Sequence, residues 1–304
     1  MRDVSLKHRI EYLLLRVGLG VLNAMPLRVA LALTWPLAWV AHWIFRFRVA
    51  ETRRRIRAVL GDDVSAAAVR SHAWKSWRNL CFSVIEMARF SRTARGDIER
   101  TIPGIGAALE EVDRMRGGRA NGMVLATLHM GNWEMGGLAM SMRGMHPIVI
   151  TRRQKNRLSD EYLRGLREQA GMDVVMRDRR VMKNIIAKLR QGGILAILPD
   201  VRMNTPALDI AFLGGRANLA GGMVMFAKQT DFPVLPAYGI RIGWTRHKWI
   251  LLDPVYPDPS LDKKEDWLRM TQAVMDQFTE VVRKHPDQYF WHNRRWVLDP
   301  LEEK

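Results

Sequence analysis

The pattern of apolar and polar positions divides the chain into a helical first part and an alternating second part. Residues 64–117 carry apolar residues at mixed spacings of three and four, which predicts helices. After residue 120, short apolar runs alternate with helix-like segments. This alternation predicts an α/β fold with a central, mostly parallel sheet flanked by helices. The predicted strands are 123–128, 147–150, 173–176, 193–199, 233–242 and 248–253, and the predicted helices are 133–142, 159–169, 179–191, 219–228 and 262–284.

Residues 1–60 combine the most apolar stretch of the chain with clustered arginines. The 17 residues 29–45 carry no formal charge and hold three tryptophans at a spacing of four. Tryptophan favours the membrane–water boundary, and flanking arginines suit an anionic lipid surface. We therefore predict an N-terminal helical membrane anchor over residues 1–60, monotopic more than spanning, and a single catalytic α/β domain over residues 61–304. A helical hairpin that packs on the rest of the protein is the alternative.

The net charge of the chain limits the classes of binding partner that we expect. The 304 residues are 48% hydrophobic and carry a net charge of +17, so the protein is globular and is expected to meet an anionic partner. A basic nucleic-acid-binding protein is one such reading, but no nucleic-acid-reading module is recognisable, and we predict no nucleic-acid partner. The single cysteine, Cys81, excludes an intrachain disulfide and fits a reducing compartment.

The segment LHMGNWEM, residues 128–135, holds the candidate chemistry. It leaves a predicted strand and enters a predicted helix, so His129 lies at the strand edge where ligands bind in open α/β sheets. With Asn132 at the helix N-cap and Glu134 in the first turn, the two side chains could form a His–carboxylate pair. No serine or cysteine nucleophile and no further metal ligand lies at a sensible spacing, so a substrate hydroxyl is the natural nucleophile and no metal is predicted. The spacing by itself also fits an ordinary helix-capping loop.

Further blocks of sequence follow this segment in a recognisable order. They read ITRRQKNRLSDEYLRGLREQAGMDVV, LRQGGILAILPD, AFLGGRANLAGGMVMFAKQTDFPVLPAY and PDQYFWHNRRW. Together with LHMGNWE they resemble the lipid A late acyltransferase family, the lauroyl and myristoyl transferases, and the related phosphatidylinositol mannoside acyltransferases. The resemblance covers nearly the whole chain and implies a fold like that of the glycerolipid acyltransferases.

The resemblance implies a membrane-associated O-acyltransferase at the cytoplasmic face of the bacterial inner membrane. The donor would be an acyl thioester of acyl carrier protein or CoA, and the acceptor a hydroxyl of a phosphorylated glycolipid such as a lipid A precursor. By the same resemblance His129 is the general base, Glu134 its orienting carboxylate, and Asp200 a second acidic residue near the imidazole. No cofactor is implied. The expected partners are acyl carrier protein, the glycolipid acceptor and anionic membrane lipids.

Substrate-binding residues follow from the same blocks. The resemblance implies that Arg167 contacts the substrate, with Arg152 or Arg153 sharing that role. Gly214 and Gly215 either let the backbone approach a phosphate or form a hairpin turn. The residues after Asp200 depart from the lipid A branch, which commonly carries an acidic residue followed by Gln or His, whereas this chain continues with Val201 and Arg202. Another membrane glycolipid, such as a phosphatidylinositol mannoside, is therefore the alternative acceptor.

Overall fold

The computed structural model describes residues 5–93, 96–151, 153–176 and 181–299. Within these ranges a group of helices comes first, and strands then alternate with helices. The helices are α1 Leu6–Ala24, α2 Leu27–Trp43, α3 Val49–Leu60, α4 Ala66–Ala88, α5 Phe90–Thr93, α6 Ile98–Thr101, α7 Ile105–Met115, α8 Trp133–Met142, α9 Arg157–Gln169, α10 Val181–Arg190, α11 Gly222–Thr230 and α12 Lys263–Lys284. The strands are β1 Met123–Thr127, β2 Ile148–Thr151, β3 Asp173–Met176, β4 Ile194–Ile197, β5 Leu208–Phe212, β6 Gly215–Leu219, β7 Val234–Arg241 and β8 His247–Leu251.

The larger sheet is mixed, and most of its strands run parallel. Its order is β3-β2-β4-β1-β7-β8, with β8 antiparallel to β7 and the other neighbours parallel. Strand β1 lies inside the sheet between β4 and β7, and all five of its residues are buried. Because β1 and β4 are parallel neighbours, the segments that leave their carboxyl ends emerge at the same edge of the sheet.

Both faces of the sheet are covered, which explains why its strands read as apolar runs. Val124 and Ala126 on β1 face a core that includes residues of α3, α4, α10, α11 and α12. Met123 and Leu125 face the opposite core, which includes residues of α7, α8 and α9. The alternation along β1 is the two-residue period of a strand, with apolar residues needed on both sides.

A two-stranded hairpin of β5 and β6 was not among the predicted strands. The strands pair antiparallel from Leu208↔Leu219 to Phe212↔Gly215. Leu213 and Gly214 form the turn, both with positive φ (52° and 83°), the combination of a type I′ hairpin turn. Burial alternates along each strand because only one side of this small sheet is covered. The predicted helix 179–191 begins outside the described residues and is seen from Val181 onward.

The prediction of an N-terminal membrane anchor was wrong. Across the described ranges, no helix is long and apolar enough to cross a membrane. Helix α2, which holds most of the uncharged stretch, is 17 residues long and packs one face onto α4. That face is buried at Ala30, Thr34, Ala38 and His42, and the Trp77 indole on α4 donates to the Ala38 carbonyl at 2.9 Å.

Apolar residues of this N-terminal region therefore pack against other parts of the protein. Trp35 meets Trp74 of α4 edge to face at 5.6 Å between ring centroids, and the Trp43 ring lies 6.5 Å from Trp74, so two of the three regularly spaced tryptophans pack against α4. Leu19 of α1 and Leu31 of α2 share a small core with Phe82 and Ile85 of α4. The structure therefore agrees with the alternative interpretation, a helical hairpin that packs on the rest of the protein. The outer face of this hairpin still exposes apolar residues such as Leu37.

Candidate active site

His129 and Asp200 meet at the carboxyl edge of the larger sheet. His129 is the second residue after β1, and Asp200 is the third after the neighbouring β4. The His129 Nδ1 lies 2.8 Å from Asp200 Oδ1, and the His129 backbone N–H donates to Asp200 Oδ2 at 3.0 Å. One carboxylate thus fixes both the imidazole ring and the backbone that carries it, although 71 residues separate the two in sequence.

The contact with Asp200 favours one tautomer of the His129 ring and keeps the ring in place. The Asp200 side chain is 1% exposed and that of His129 is 24% exposed. Burial lowers the pKa of the His129 imidazole, but the charge of Asp200, its hydrogen bond and the charge of Glu134 outweigh burial and raise that pKa above its ordinary value. Because Asp200 accepts from Nδ1–H, the lone pair of the neutral ring is on Nε2, which is the nitrogen able to take a proton.

Tyr289 is a third member of this arrangement. Its ring is 2% exposed, and its hydroxyl donates to the Asp200 carboxylate. Burial, followed by the charge of Asp200 and that hydrogen bond, raises the pKa of the Tyr289 hydroxyl well above its usual range, so it remains a donor. Asp200 is therefore a buried carboxylate with donors from His129 and Tyr289, which satisfies the rule that a buried charge needs hydrogen-bond partners.

Glu134 is engaged by Arg167. The Arg167 Nε donates to both Glu134 carboxylate oxygens at 3.2 and 3.0 Å, and Nη2 donates to Oε1 at 2.5 Å. The two side chains are 13% and 20% exposed. Burial alone would lower the pKa of the Arg167 guanidinium, but the bonds to Glu134 outweigh it and raise the pKa. The carboxylate in contact with the imidazole is thus Asp200, while Glu134 acts on His129 through its charge.

The loop between His129 and Glu134 is closely packed against the rest of the domain. Gly131 has a φ of 56°, and a Cβ at this position would lie 2.2 Å from the Gly239 carbonyl oxygen. The Gly131 N–H donates to the Gln288 carbonyl, and the Phe290 N–H donates to the His129 carbonyl, both at 2.8 Å. Only glycine combines this backbone conformation with so close an approach. The segment around residues 288–290 therefore closes the loop from one side.

Aromatic rings stand beside the imidazole. The His129 ring meets Trp133 edge to face at 5.1 Å between centroids and lies 6.3 Å from Phe290. These rings limit the water around His129, which strengthens its interaction with Asp200. They also give the site an apolar wall of the kind an acyl chain would contact.

The other candidate substrate residues lie in different surroundings. Arg153 is exposed, and Arg152 lies outside the described residues. Gly214 and Gly215 are at the β5–β6 hairpin turn, where the nearest atoms to an added Cβ would belong to Arg283 and Leu298. In the part of the chain that the structure describes, no three His, Cys, Asp or Glu side chains converge as metal ligands.

Sequence reasoning did not single out Tyr289 or the exact partner of each carboxylate. Tyr289 lies in the block PDQYFWHNRRW, so the resemblance marked its neighbourhood but not its role. Its contact with Asp200 spans 89 residues of sequence and depends on how the chain returns to the sheet edge after α12.

Comparison with known proteins agrees with the resemblance. The family profile described as "Bacterial lipid A biosynthesis acyltransferase" matches residues 2–297. The chain is similar to a "Phosphatidylinositol mannoside acyltransferase" of Mycobacterium tuberculosis (strain CDC 1551 / Oshkosh), with 23% identity over 267 residues, 84% of this chain and 79% of the relative. It is also similar to the protein of the same name from Mycolicibacterium smegmatis, with 23% identity over 276 residues, 84% of this chain and 81% of the relative.

Proposed function

The chain belongs to the family of bacterial lipid A biosynthesis acyltransferases, and we propose that it moves a fatty acyl chain from an acyl thioester to a hydroxyl of a phosphorylated glycolipid. Membership makes it an acyltransferase, and the family and its named relatives make its acceptor class a glycolipid. Our proposal for the acceptor is a lipid A precursor. Residues 2–297 match a family described by that pathway, which favours this acceptor over others.

The observation that carries the mechanism is the contact of His129 Nδ1 with Asp200 at the sheet edge. Asp200 holds the Nδ1–H, and Nε2 removes the proton from the acceptor hydroxyl as its oxygen attacks the thioester carbon. An ester C–O bond forms, the C–S bond breaks, and the imidazolium returns the proton to the leaving thiolate. Asp200 stabilises the imidazolium between these two proton transfers.

Glu134 and Arg167 support this chemistry from the neighbouring position. The negative charge of Glu134 favours the imidazolium, and its bonds to Arg167 keep the carboxylate in place. The pair uses Arg167 Nε and Nη2, so Nη1 is the guanidinium nitrogen not involved in the pair and available in our proposal for an anionic group of the substrate. In our proposal Arg153 or Arg152 shares with Arg167 the binding of anionic groups of the substrate.

The donor and the place of reaction are parts of the same proposal. A chain with a net charge of +17 attracts an acidic acyl carrier protein and anionic lipids, and CoA is an anionic donor as well. We place the reaction at the cytoplasmic face of the inner membrane, where such a donor and a membrane glycolipid meet. The residues described here need no cofactor for this reaction.

A phosphatidylinositol mannoside is the second candidate acceptor. Both relatives named above are called phosphatidylinositol mannoside acyltransferases. Val201 and Arg202 after Asp200 also depart from the lipid A branch. Transfer to either acceptor would use the same proton transfers at His129, so the two candidates differ in acceptor binding alone.

The function is tested with purified protein, a palmitoyl or lauroyl thioester and each glycolipid in detergent micelles. We expect wild-type protein to form an acylated glycolipid, and His129→Ala to lose transfer while its unfolding temperature stays close to that of the wild type. Transfer by His129→Ala at the wild-type rate would overturn the mechanism. Mass spectrometry of lipids from a deletion strain then identifies the acceptor by the molecule that lacks one acyl chain.

A further inference from the structure

A second buried polar cluster contacts the loop of His129 and is separate from the His129–Asp200 pair. Its centre is Glu86 of α4, which is 2% exposed. Arg241 at the end of β7 donates from Nη1 to Glu86 Oε1 at 2.8 Å and from Nη2 to Oε2 at 2.6 Å. His247 Nε2 lies 3.1 Å from Oε1, and the Asn132 amide donates to Oε2 at 2.6 Å. The cluster therefore joins α4, β7 and β8 to the loop between His129 and Glu134.

Stability alone does not explain this cluster. Burial raises the pKa of the Glu86 carboxyl, but Arg241 and His247 outweigh it and bring that pKa to about 2, so the group stays ionised at every physiological pH. Removing charges from water costs free energy, and a buried ion pair is often replaceable by well-packed apolar residues. A fixed geometry of hydrogen bonds is what apolar residues could not supply here.

The geometry in question is that of Asn132. This residue occupies the N-cap position of α8, yet its side chain makes no capping hydrogen bond and turns to Glu86 instead. Asparagine at an N-cap ordinarily accepts from the first turn of its helix, so its use elsewhere needs a reason. Asn132 lies between His129 and Glu134, and holding it fixes the path of the backbone that joins them.

Helix α4 holds the same loop at a second point. The Ser83 hydroxyl, one helical turn before Glu86, shares its proton between the Asn79 carbonyl at 2.9 Å and the Gly131 carbonyl at 3.2 Å. Arg241 is joined to the opposite side of the loop as well, because its backbone N–H donates to the Gln288 side chain and the Gln288 carbonyl accepts from Gly131 N–H. The Glu86 carboxylate thus holds the loop at Asn132, while Ser83 and Gln288 hold it at Gly131.

We propose that Glu86 is a positioning residue for acyl transfer, which acts through the Asn132 amide to set His129 against Asp200 and Glu134 against Arg167. The proposal rests on the proposed function. It does not require Glu86 to touch substrate, since its four hydrogen-bonding contacts are all within the protein. It assigns the cluster a role in the rate of the reaction and not in substrate affinity.

Two variants and one control test this role. Glu86→Gln keeps the shape and removes the charge. Asn132→Ala leaves the Glu86–Arg241 pair intact and removes its link to the loop. The control is Asp266→Asn on α12, because Asp266 is likewise a fully buried carboxylate, bonded to Arg269 at 2.6 Å and Lys228 at 3.1 Å, outside the site. Glu86→Gln leaves the buried Arg241 without its anion, and Asp266→Asn leaves the partly exposed Arg269 and Lys228 without theirs, so both should lower the unfolding temperature.

The kinetic constants separate positioning from stability. Small displacements of a catalytic group cost about 10- to 100-fold in rate, so we expect kcat to fall by that factor in Glu86→Gln and Asn132→Ala with KM for the thioester unchanged. Asp266→Asn should keep the wild-type kcat below its unfolding temperature. Equal kcat values in Asn132→Ala and the wild type would overturn the proposal, as would an equal loss in Asp266→Asn.

A measurement that does not depend on acyl transfer tests the positioning role of Glu86 independently of the proposed function. NMR titration of the His129 ring reports its contact with Asp200, and loosening the loop should move the His129 pKa down in Asn132→Ala but not in Asp266→Asn. An unchanged titration in Asn132→Ala refutes positioning even if acyl transfer is established. A wild-type protein without acyl transfer refutes the proposed function, and the titration then still decides whether Glu86 positions His129.

Discussion

Replacing Asp200 by asparagine is the sharpest test of the arrangement at the sheet edge. The carboxylate accepts from His129 Nδ1 at 2.8 Å, from His129 N–H at 3.0 Å and from the Tyr289 hydroxyl. Asparagine has the same shape, but one oxygen becomes an NH₂ group that can only donate. The variant therefore keeps the packing of the site and changes only its charge and its hydrogen-bond directions.

Each way of placing the amide harms the base. If the amide oxygen faces the His129 backbone N–H, the NH₂ group faces Nδ1 and the ring proton must move to Nε2, which then has no lone pair for the acceptor hydroxyl. If the oxygen faces Nδ1–H, the NH₂ group faces the backbone N–H, and a buried donor loses its partner at a cost of about 1–3 kcal/mol. By analogy with the serine protease triad, where the same exchange costs about 10⁴-fold, we expect kcat to fall by roughly 10²- to 10⁴-fold.

The pH dependence gives a second, independent measurement. In the wild type the pKa of His129 is raised, so kcat/KM should increase with pH through a midpoint above 6.5 as the imidazole loses its proton. Without the charge of Asp200, only the charge of Glu134 is left to oppose the effect of burial on that pKa, and the midpoint should move down. The assay is thioester-dependent transfer from pH 5 to 9 with both proteins. A variant within threefold of the wild-type kcat and with an unmoved midpoint would refute the reasoning.

Two further predictions concern the loop and the buried histidines. Gly131→Ala should lower the free energy of unfolding by about 1–3 kcal/mol and reduce kcat, because its Cβ would meet the Gly239 carbonyl at a positive φ. Gly165→Ala on α9 is the matched control, since nothing lies within 4 Å of a Cβ there. An unfolding temperature of Gly131→Ala equal to that of the wild type would contradict the prediction. Burial, followed by nearby positive charge, lowers the pKa of His42 to about 4 and that of His292 to about 3. Below pH 6.5 the unfolded chain therefore binds protons that the folded protein does not, and stability should fall by up to about 1.4 kcal/mol per pH unit for each group as the pH drops toward 4. Urea unfolding at pH 7 and pH 5 should show a smaller loss in the double variant His42→Leu, His292→Leu, and an unchanged loss would exclude this explanation.

The sequence predicts the strands of the larger sheet because burial on both faces makes them continuous apolar runs. The same runs locate the candidate chemistry, since His129 and Asp200 each follow one of them. The β5–β6 hairpin is harder to predict, because its alternating pattern is short and its glycines resemble a phosphate-binding loop. The alternation of buried and exposed residues from Leu208 to Leu219 is the signal that identifies it afterwards.

The partners of the side chains depend on tertiary structure that local patterns do not contain. The spacing of His129 and Glu134 permits contact, but the turn at Gly131 and the 33 residues to Arg167 decide which group Glu134 meets. The N-terminal prediction failed for a related reason. An apolar helix flanked by arginines has the same sequence pattern whether its apolar face contacts lipid or another helix. In this structure the face that contacts α4 is formed by Ala30, Thr34, Ala38 and His42.

The hydrogen bonds from residues 288–290 to the loop of His129 bear on when the enzyme becomes active during its own synthesis. The Gln288 carbonyl accepts a hydrogen bond from the Gly131 N–H, and the Phe290 N–H donates one to the His129 carbonyl. The Tyr289 hydroxyl donates a hydrogen bond to Asp200. A nascent chain that has emerged only as far as α12 already has the whole sheet and both ends of the His129–Asp200 pair. It lacks the partners that close the loop, so in our proposal the site for acyl transfer is complete only once translation has passed residue 290.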